Sequence, residues 1–240
     1  MTRLRRWRPL SSLVLLAALA AGPTSAHEPP PAEEVYIQGD FTPRFTPPAP
    51  GTYELPAITR VGSFPVLERG RALRTQALLA GKIGVVSFIY TACSETLGCP
   101  LASEAMRRIQ HQVAHEGLRE RVVLLSVTFD DVLDRASHLD AYAQRWGADR
   151  SLWHFVRAPS EQSLEAMLAG FGQDRTKLYD AHGRFTGRYR HTLKVFLVDQ
   201  RGAVRNIYST GFLVPQVVIN DIKTVLNERG PDRLSPEEPR

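Results

Sequence analysis

The chain has 240 residues, 43% of them hydrophobic and 23% charged, with a formal net charge of +5. That balance is ordinary for a globular protein long enough to bury one sizeable core. The positive charge lies largely at the N-terminus: residues 1–26 hold four of the 30 basic side chains (Arg3, Arg5, Arg6 and Arg8) and none of the 25 acids, leaving 26 against 25. Nucleic-acid binding therefore has no electrostatic footing.

Residues 1–26 read as a signal peptide. The arginines precede an apolar run over residues 10–22, Pro23 breaks it, and Thr24-Ser25-Ala26 supplies small residues for cleavage. The run is about 13 residues, against the roughly 20 that a spanning helix needs. The mature chain is then exported, periplasmic and without a membrane span. The alternative is an uncleaved N-terminal anchor. Residues 27–51 carry seven prolines, which exclude helix and central strand, and read as an extended linker. Residues 229–240, with three prolines and six charges, read as a disordered tail.

Residues 52–228 form one domain. Residues 83–90 (IGVVSFIY) and 122–129 (VVLLSVTF) are short apolar runs, read as buried strands. Between them, residues 100–116 repeat apolar side chains every fourth position (Leu101, Ala105, Ile109, Val113) and read as a helix. A helix over 135–146, a short strand over 152–156 and a helix over 161–168 follow. Strands at 193–198 and 203–208, joined by a turn at Gln200-Arg201-Gly202, precede a helix over 215–226 that starts on Pro215. Alternation followed by a hairpin and a helix predicts an α/β fold, a thioredoxin-like sandwich with a mixed central sheet flanked by helices.

The chain has two cysteines, Cys93 and Cys99, with five residues between them. They join the first strong strand to the first strong helix, where sites in open α/β sheets are built. Pro100 suits a first helical position, so Cys99 falls at about the N-cap. There the helix dipole is expected to stabilise its thiolate and lower its pKa. Six positions along one helix turn through about 240°. Cys93 therefore belongs to the loop, and Gly98 lets that loop turn back until both sulfurs face one metal or form one bond. A plain stabilising disulfide is the competing reading, contributing about 2 kcal/mol for so short a loop.

His191 precedes the strand that starts at Thr192. In a thioredoxin-like layout that strand neighbours the first one, so its leading end lies near the Cys loop. Cys93, Cys99 and His191 then offer two sulfurs and one nitrogen to a single metal. That set suits Cu(I), accepts Cu(II), and could take zinc with a fourth ligand. The other histidines read as structural or solvated: His111 and His115 off the apolar stripe of their helix, His138 off the face of its own, His154 packed in a short strand, His182 in a turn. His27, at the mature N-terminus, is a weak chelator in a Pro-rich tail. Asp134 reads as a solvated N-cap of the following helix. For Asp130 both a structural turn and a role in shaping the site stay open.

Together these segments resemble the Sco/SenC family over roughly residues 60–227. The matching pieces are Gly81-Lys82, Val85 to Cys93 (VVSFIYTAC), Cys99-Pro100-Leu101, Ser126 to Asp130 with Asp134, Arg190-His191-Thr192 and Phe196 to Asp199 with Gly202. The resemblance implies one copper held by Cys93, Cys99 and His191. It also implies delivery of that copper to the binuclear copper centre of a haem-copper oxidase, or reduction of that centre's cysteines. The implied partners are the copper-receiving subunit of a respiratory oxidase and a thiol reductant protein. The family usually spaces its cysteines by three residues, and its Asp-Pro pair after the second strand is here Asp130-Asp131. The alternative is an exported thiol–disulfide oxidoreductase using Cys93 and Cys99 without copper. In that case helix placement makes Cys99 the attacking thiolate and Cys93 the resolving one. Against it, thioredoxin-type enzymes space their cysteines by two residues and carry a cis-proline where His191-Thr192 stands.

Overall fold

A computed structural model describes residues 39–228. The segments read as signal peptide and C-terminal tail, and His27, lie outside the described residues. The chain enters through three short strands, β1 (Thr59–Arg60), β2 (Pro65–Glu68) and β3 (Arg71–Arg74), and one helical turn, α1 (Thr75–Leu79). Then β4 (Ile83–Ile89), α2 (Cys99–His115), β5 (Val122–Thr128), α3 (Ala136–Arg145), β6 (Trp153–Arg157) and α4 (Glu161–Phe171) alternate. A hairpin of β7 (Thr176–Tyr179) and β8 (Phe185–Arg190) precedes β9 (Lys194–Val198), β10 (Ala203–Ser209) and α5 (Pro215–Asn227).

Eight strands make one mixed sheet in the order β1-β10-β9-β4-β5-β6-β2-β3, while β7 and β8 pair separately. β4, β5 and β6 run parallel, and β9 lies antiparallel to β4. All seven residues of β4 and all seven of β5 are buried, so these central strands are covered on both faces, which is why they read as unbroken apolar runs. On one face Ser87 bonds Ser126 at 2.9 Å, and the Trp153 indole donates to Ser126 at 3.0 Å. Tyr142 of α3 packs on Phe155 of that same face and bonds Ser103 of α2. On the other face Phe171 of α4 meets Phe88 and Phe196 with ring centroids 5.3 and 5.1 Å apart. This is the expected thioredoxin-like sandwich.

The sequence reading missed β1 to β3, α1 and the β7–β8 hairpin, all short and lacking long apolar runs. Within the stretch read as a linker, residues 39–51 form no helix or strand but are packed down. Phe41 is buried beneath the Arg108 guanidinium, which lies 4.7 Å from its ring centroid. Asn220 donates to the Pro48 carbonyl at 2.8 Å, and the Gly51 amide donates to Thr224 at 2.9 Å.

Candidate metal centre

Sheet topology assembles the site. β9 pairs antiparallel to β4 with Ser87 opposite Val195, so the residues before β9 arrive at the end of β4 from which the Cys loop departs. β5 runs parallel to β4, with Ile89 opposite Thr128. Its exit, Phe129 to Asp134, therefore opens at the same end. Sγ of Cys93, Sγ of Cys99 and a ring nitrogen of His191 all lie within 4.8 Å of one another. Among the described residues this is the one cluster of three or more His, Cys, Asp or Glu side chains with such convergence. Both cysteines are free thiols.

The loop closes through local hydrogen bonds. The Cys93 amide donates to the Tyr90 carbonyl at 3.2 Å, and the Gly98 amide donates to the Glu95 carbonyl at 2.8 Å. Gly98 is needed for close approach: a Cβ there would sit 3.2 Å from the Glu95 oxygen and 3.4 Å from Cys93 Sγ. Arg188 of β8 then pairs with Glu95 at 2.6 Å. A cleft of about 550 Å³ opens beside the loop, lined by Glu95, Leu97, Arg188 and His191 among others.

The two thiols differ in the opposite sense from the sequence expectation. Gly98 is the N-cap and Cys99 is the first residue of α2. Cys99 is 1% exposed, while Cys93 is half-buried in the loop. Burial pushes the Cys99 thiol well above its ordinary pKa, and the adjacent Cys93 sulfur adds to that. Desolvation here outweighs the helix dipole. Cys93 falls to about 4, chiefly because the Cys99 thiol hydrogen-bonds it, with further help from His191 and from backbone amides of Cys99 and Glu95, against its own desolvation. The depressed pKa and partial exposure of Cys93 favour its sulfur over that of Cys99 for the thiolate form, the reverse of the sequence expectation. The Tyr90 amide donates to Cys99 Sγ at 3.4 Å.

The acids after β5 also differ from expectation. Asp134 is 1% exposed and caps no helix. It accepts from the Thr91 amide at 3.0 Å and from the hydroxyls of Thr91 and Thr128, each at 2.5 Å. It thus ties the root of the Cys loop to β5. Burial raises its pKa, opposed by those threonine bonds. The start of α3 is closed instead by His138, whose Nδ1 accepts from the Arg135 amide at 3.2 Å. Asp130 is buried and faces the site through Tyr189, whose hydroxyl donates to it at 3.0 Å.

The remaining histidines are away from the cluster. His111, His115 and His182 are exposed, and His154 Nδ1 lies 3.0 Å from Glu68. Missed altogether in the sequence were Glu95, Arg188, the rings of Tyr90 and Phe129 beside His191, and Tyr189 packed behind them. The alternation Phe185, Gly187, Tyr189 after the His182-Gly183 turn was the available signal for β8.

A sequence profile of the SCO1/SenC family matches residues 55–227. No curated protein sequence matches the chain significantly. Among solved structures, a SCO1/SenC family lipoprotein from Bacillus anthracis is 24% identical, with 71% of this chain and 98% of that one covered and a TM-score of 0.61. Copper-bound ScoI from Bradyrhizobium japonicum is 17% identical, covering 70% of this chain and 99% of that one at a TM-score of 0.57. BsSco, described as a member of the Sco family of cytochrome c oxidase assembly proteins with a disulfide switch, is 20% identical, covering 74% and 100% at a TM-score of 0.58. At these identities the likenesses bear on the fold.

Proposed function

Since the chain belongs to the SCO1/SenC family, we propose that it is an exported copper carrier. It holds one copper ion on Cys93, Cys99 and His191 and passes it to the copper-receiving subunit of a respiratory oxidase. The observation that carries this reading is the convergence of two sulfurs and one imidazole nitrogen within 4.8 Å. Two soft sulfurs and a borderline nitrogen suit Cu(I) and also accept Cu(II). Three donors beside an open cleft leave room for an incoming ligand. The absence of a spanning helix among the described residues and the lipoprotein neighbour are compatible with export.

Release follows by ligand exchange, in which a partner's thiolates replace Cys93, Cys99 and His191 one at a time. Redox state gates the affinity. When the Cys93 thiolate attacks a disulfide, one partner sulfur leaves as a thiolate and a mixed disulfide forms. Cys99, losing its proton, then displaces the second partner sulfur. Two electrons and the one Cys99 proton pass to the partner, whose second sulfur leaves as a thiolate that takes any further proton from water, and the Cys93–Cys99 disulfide that remains has lost two metal ligands. A thiol reductant protein restores the pair. The same chemistry would reduce the cysteines of a client copper centre, a reading favoured by the low pKa and partial exposure of Cys93.

The test is competition for Cu(I) between reduced protein and a chelator. His191→Ala is expected to weaken Cu(I) binding at least about tenfold, or ~1.4 kcal/mol, while thiol–disulfide exchange continues. Wild-type affinity in that variant would remove His191 from the site and defeat the carrier model.

A further inference from the structure

Among the described residues, no carboxylate or carbonyl hydrogen-bonds the His191 ring. A metal-binding histidine usually has its second nitrogen held by such a group, which fixes ring orientation. Here the imidazole is held by aromatic faces. Phe129 lies 4.7 Å from its centroid and Tyr90 lies 6.2 Å away. Tyr189, two residues ahead of His191, completes the cluster at 5.3 Å from Tyr90 and 5.4 Å from Phe129.

Tyr189 is the one fully buried position of β8, a strand otherwise exposed or half-exposed. Its hydroxyl donates to Asp130 Oδ1 at 3.0 Å. Asp130 is itself a fixed acceptor. Its amide donates to Thr128 at 3.0 Å, and Oδ1 accepts from the amides of Val132 at 2.9 Å and Leu133 at 2.8 Å. Arg175 reinforces the contact, donating to the Phe129 carbonyl at 2.5 Å with its guanidinium 5.6 Å from the Tyr189 ring centroid. The exit of β5 and the end of β8 are thereby joined at a point two residues from His191.

We propose that the Tyr189–Asp130 hydrogen bond orients His191 for copper, which makes both of them positioning residues of the site. The inference rests on the carrier reading above. β8 belongs to a two-stranded hairpin outside the main sheet, and its end is laddered on one side only, to β7, with Tyr189 opposite Lys177 and Arg190 opposite Thr176. Without the bond, the end of β8 and the imidazole after it lose their fixed relation to the sulfurs. The cysteines, held by β4 and α2, do not.

A double-mutant cycle over Tyr189→Phe and His191→Ala tests this. It is read by Cu(I) competition, by the thiolate-to-Cu(II) absorption band, and by melting of the metal-free protein. Tyr189→Phe is expected to lower Cu(I) affinity about tenfold, the low end for an outer-sphere partner, and to shift the absorption band. The same change in the His191→Ala background is expected to have no further effect. Asp130→Asn leaves an oxygen for the hydroxyl and is expected to keep wild-type affinity. Wild-type affinity and spectrum in Tyr189→Phe, equal losses in both backgrounds, or an equal loss in Asp130→Asn would each overturn the proposal. His191→Ala with unchanged affinity would instead defeat the carrier reading.

Discussion

Arg188 donates to Glu95 at 2.6 Å, joining the loop between the two cysteines to the strand that leads into His191. The contact sits on the part of the chain where five residues separate the cysteines and Sco/SenC proteins usually have three. The longer loop is therefore not loose: a backbone bond from Gly98 to Glu95 closes it from inside, and the ion pair holds it from outside.

Both partners of that pair are more than half exposed, so it contributes at most about 1 kcal/mol. Arg188→Ala is expected to leave the melting temperature almost unchanged while speeding alkylation of Cys93, as the loop samples open positions. In the wild type, raising salt to about 1 M, where the Debye length is about 3 Å, should produce part of the same acceleration. Alkylation rates for the two proteins across a salt series check both statements. A salt-independent rate in the wild type would remove the latch role.

The thiol asymmetry predicts a pH profile for the reduced, metal-free protein. With Cys93 at about 4 and Cys99 raised by burial, one thiol should react with iodoacetamide at a nearly constant rate from pH 8 to pH 5, slowing as pH falls through about 4. Mass mapping should place the label on Cys93. The linkage has a definite sign. A thiol ordinarily near 8.5 and depressed in the folded state contributes stability that is complete above the ordinary value and lost as pH falls through the folded one. Labelling that rises only above pH 8, or that falls on Cys99, would contradict this.

Asp134→Ala removes one acceptor from three donors, the amide and hydroxyl of Thr91 and the hydroxyl of Thr128. Leaving a buried donor unsatisfied costs about 1–3 kcal/mol. Chemical denaturation should therefore show a loss of about 2–3 kcal/mol. Because Thr91 stands two residues before Cys93, Cu(I) affinity should fall along with stability. A solvated cap would give neither result.

Gly98→Ala tests the loop from the inside. The added methyl meets the Glu95 carbonyl at 3.2 Å and Cys93 Sγ at 3.4 Å, so the turn must open or the sulfur must move. Global stability should change little, since the loop is exposed. Cu(I) affinity should drop several-fold, and chelator competition alongside a thermal melt separates the two effects.

The linear chain carried a good deal of this in local form. The runs at 83–90 and 122–129 announced strands buried on both faces, because only such strands lack alternation. Pro100 and the four-residue repeat after it marked the start of α2 within one residue. The bend between strand and helix marked where two cysteines would meet. The arrival of His191 was expected only through analogy to a thioredoxin-like layout, in which the strand after it neighbours the first one; the antiparallel pairing of β9 with β4 that delivers it is a property of the fold.

Other properties depended on packing between residues distant in sequence. Placement at the head of α2 pointed to Cys99 as the thiolate, yet Cys99 is buried and Cys93 is not, and desolvation decides the order. Asp134 looked like a solvated cap because its residue type and position suit one. Its threonine partners, Thr91 above all, reach it only once β4 and β5 lie side by side. The hairpin carrying Tyr189 is short and mostly exposed, so its only mark in the sequence was the brief alternation of Phe185, Gly187 and Tyr189. Spacing and pattern are local and survive in one dimension. Burial, and with it protonation and orientation, is set by which neighbours the fold supplies.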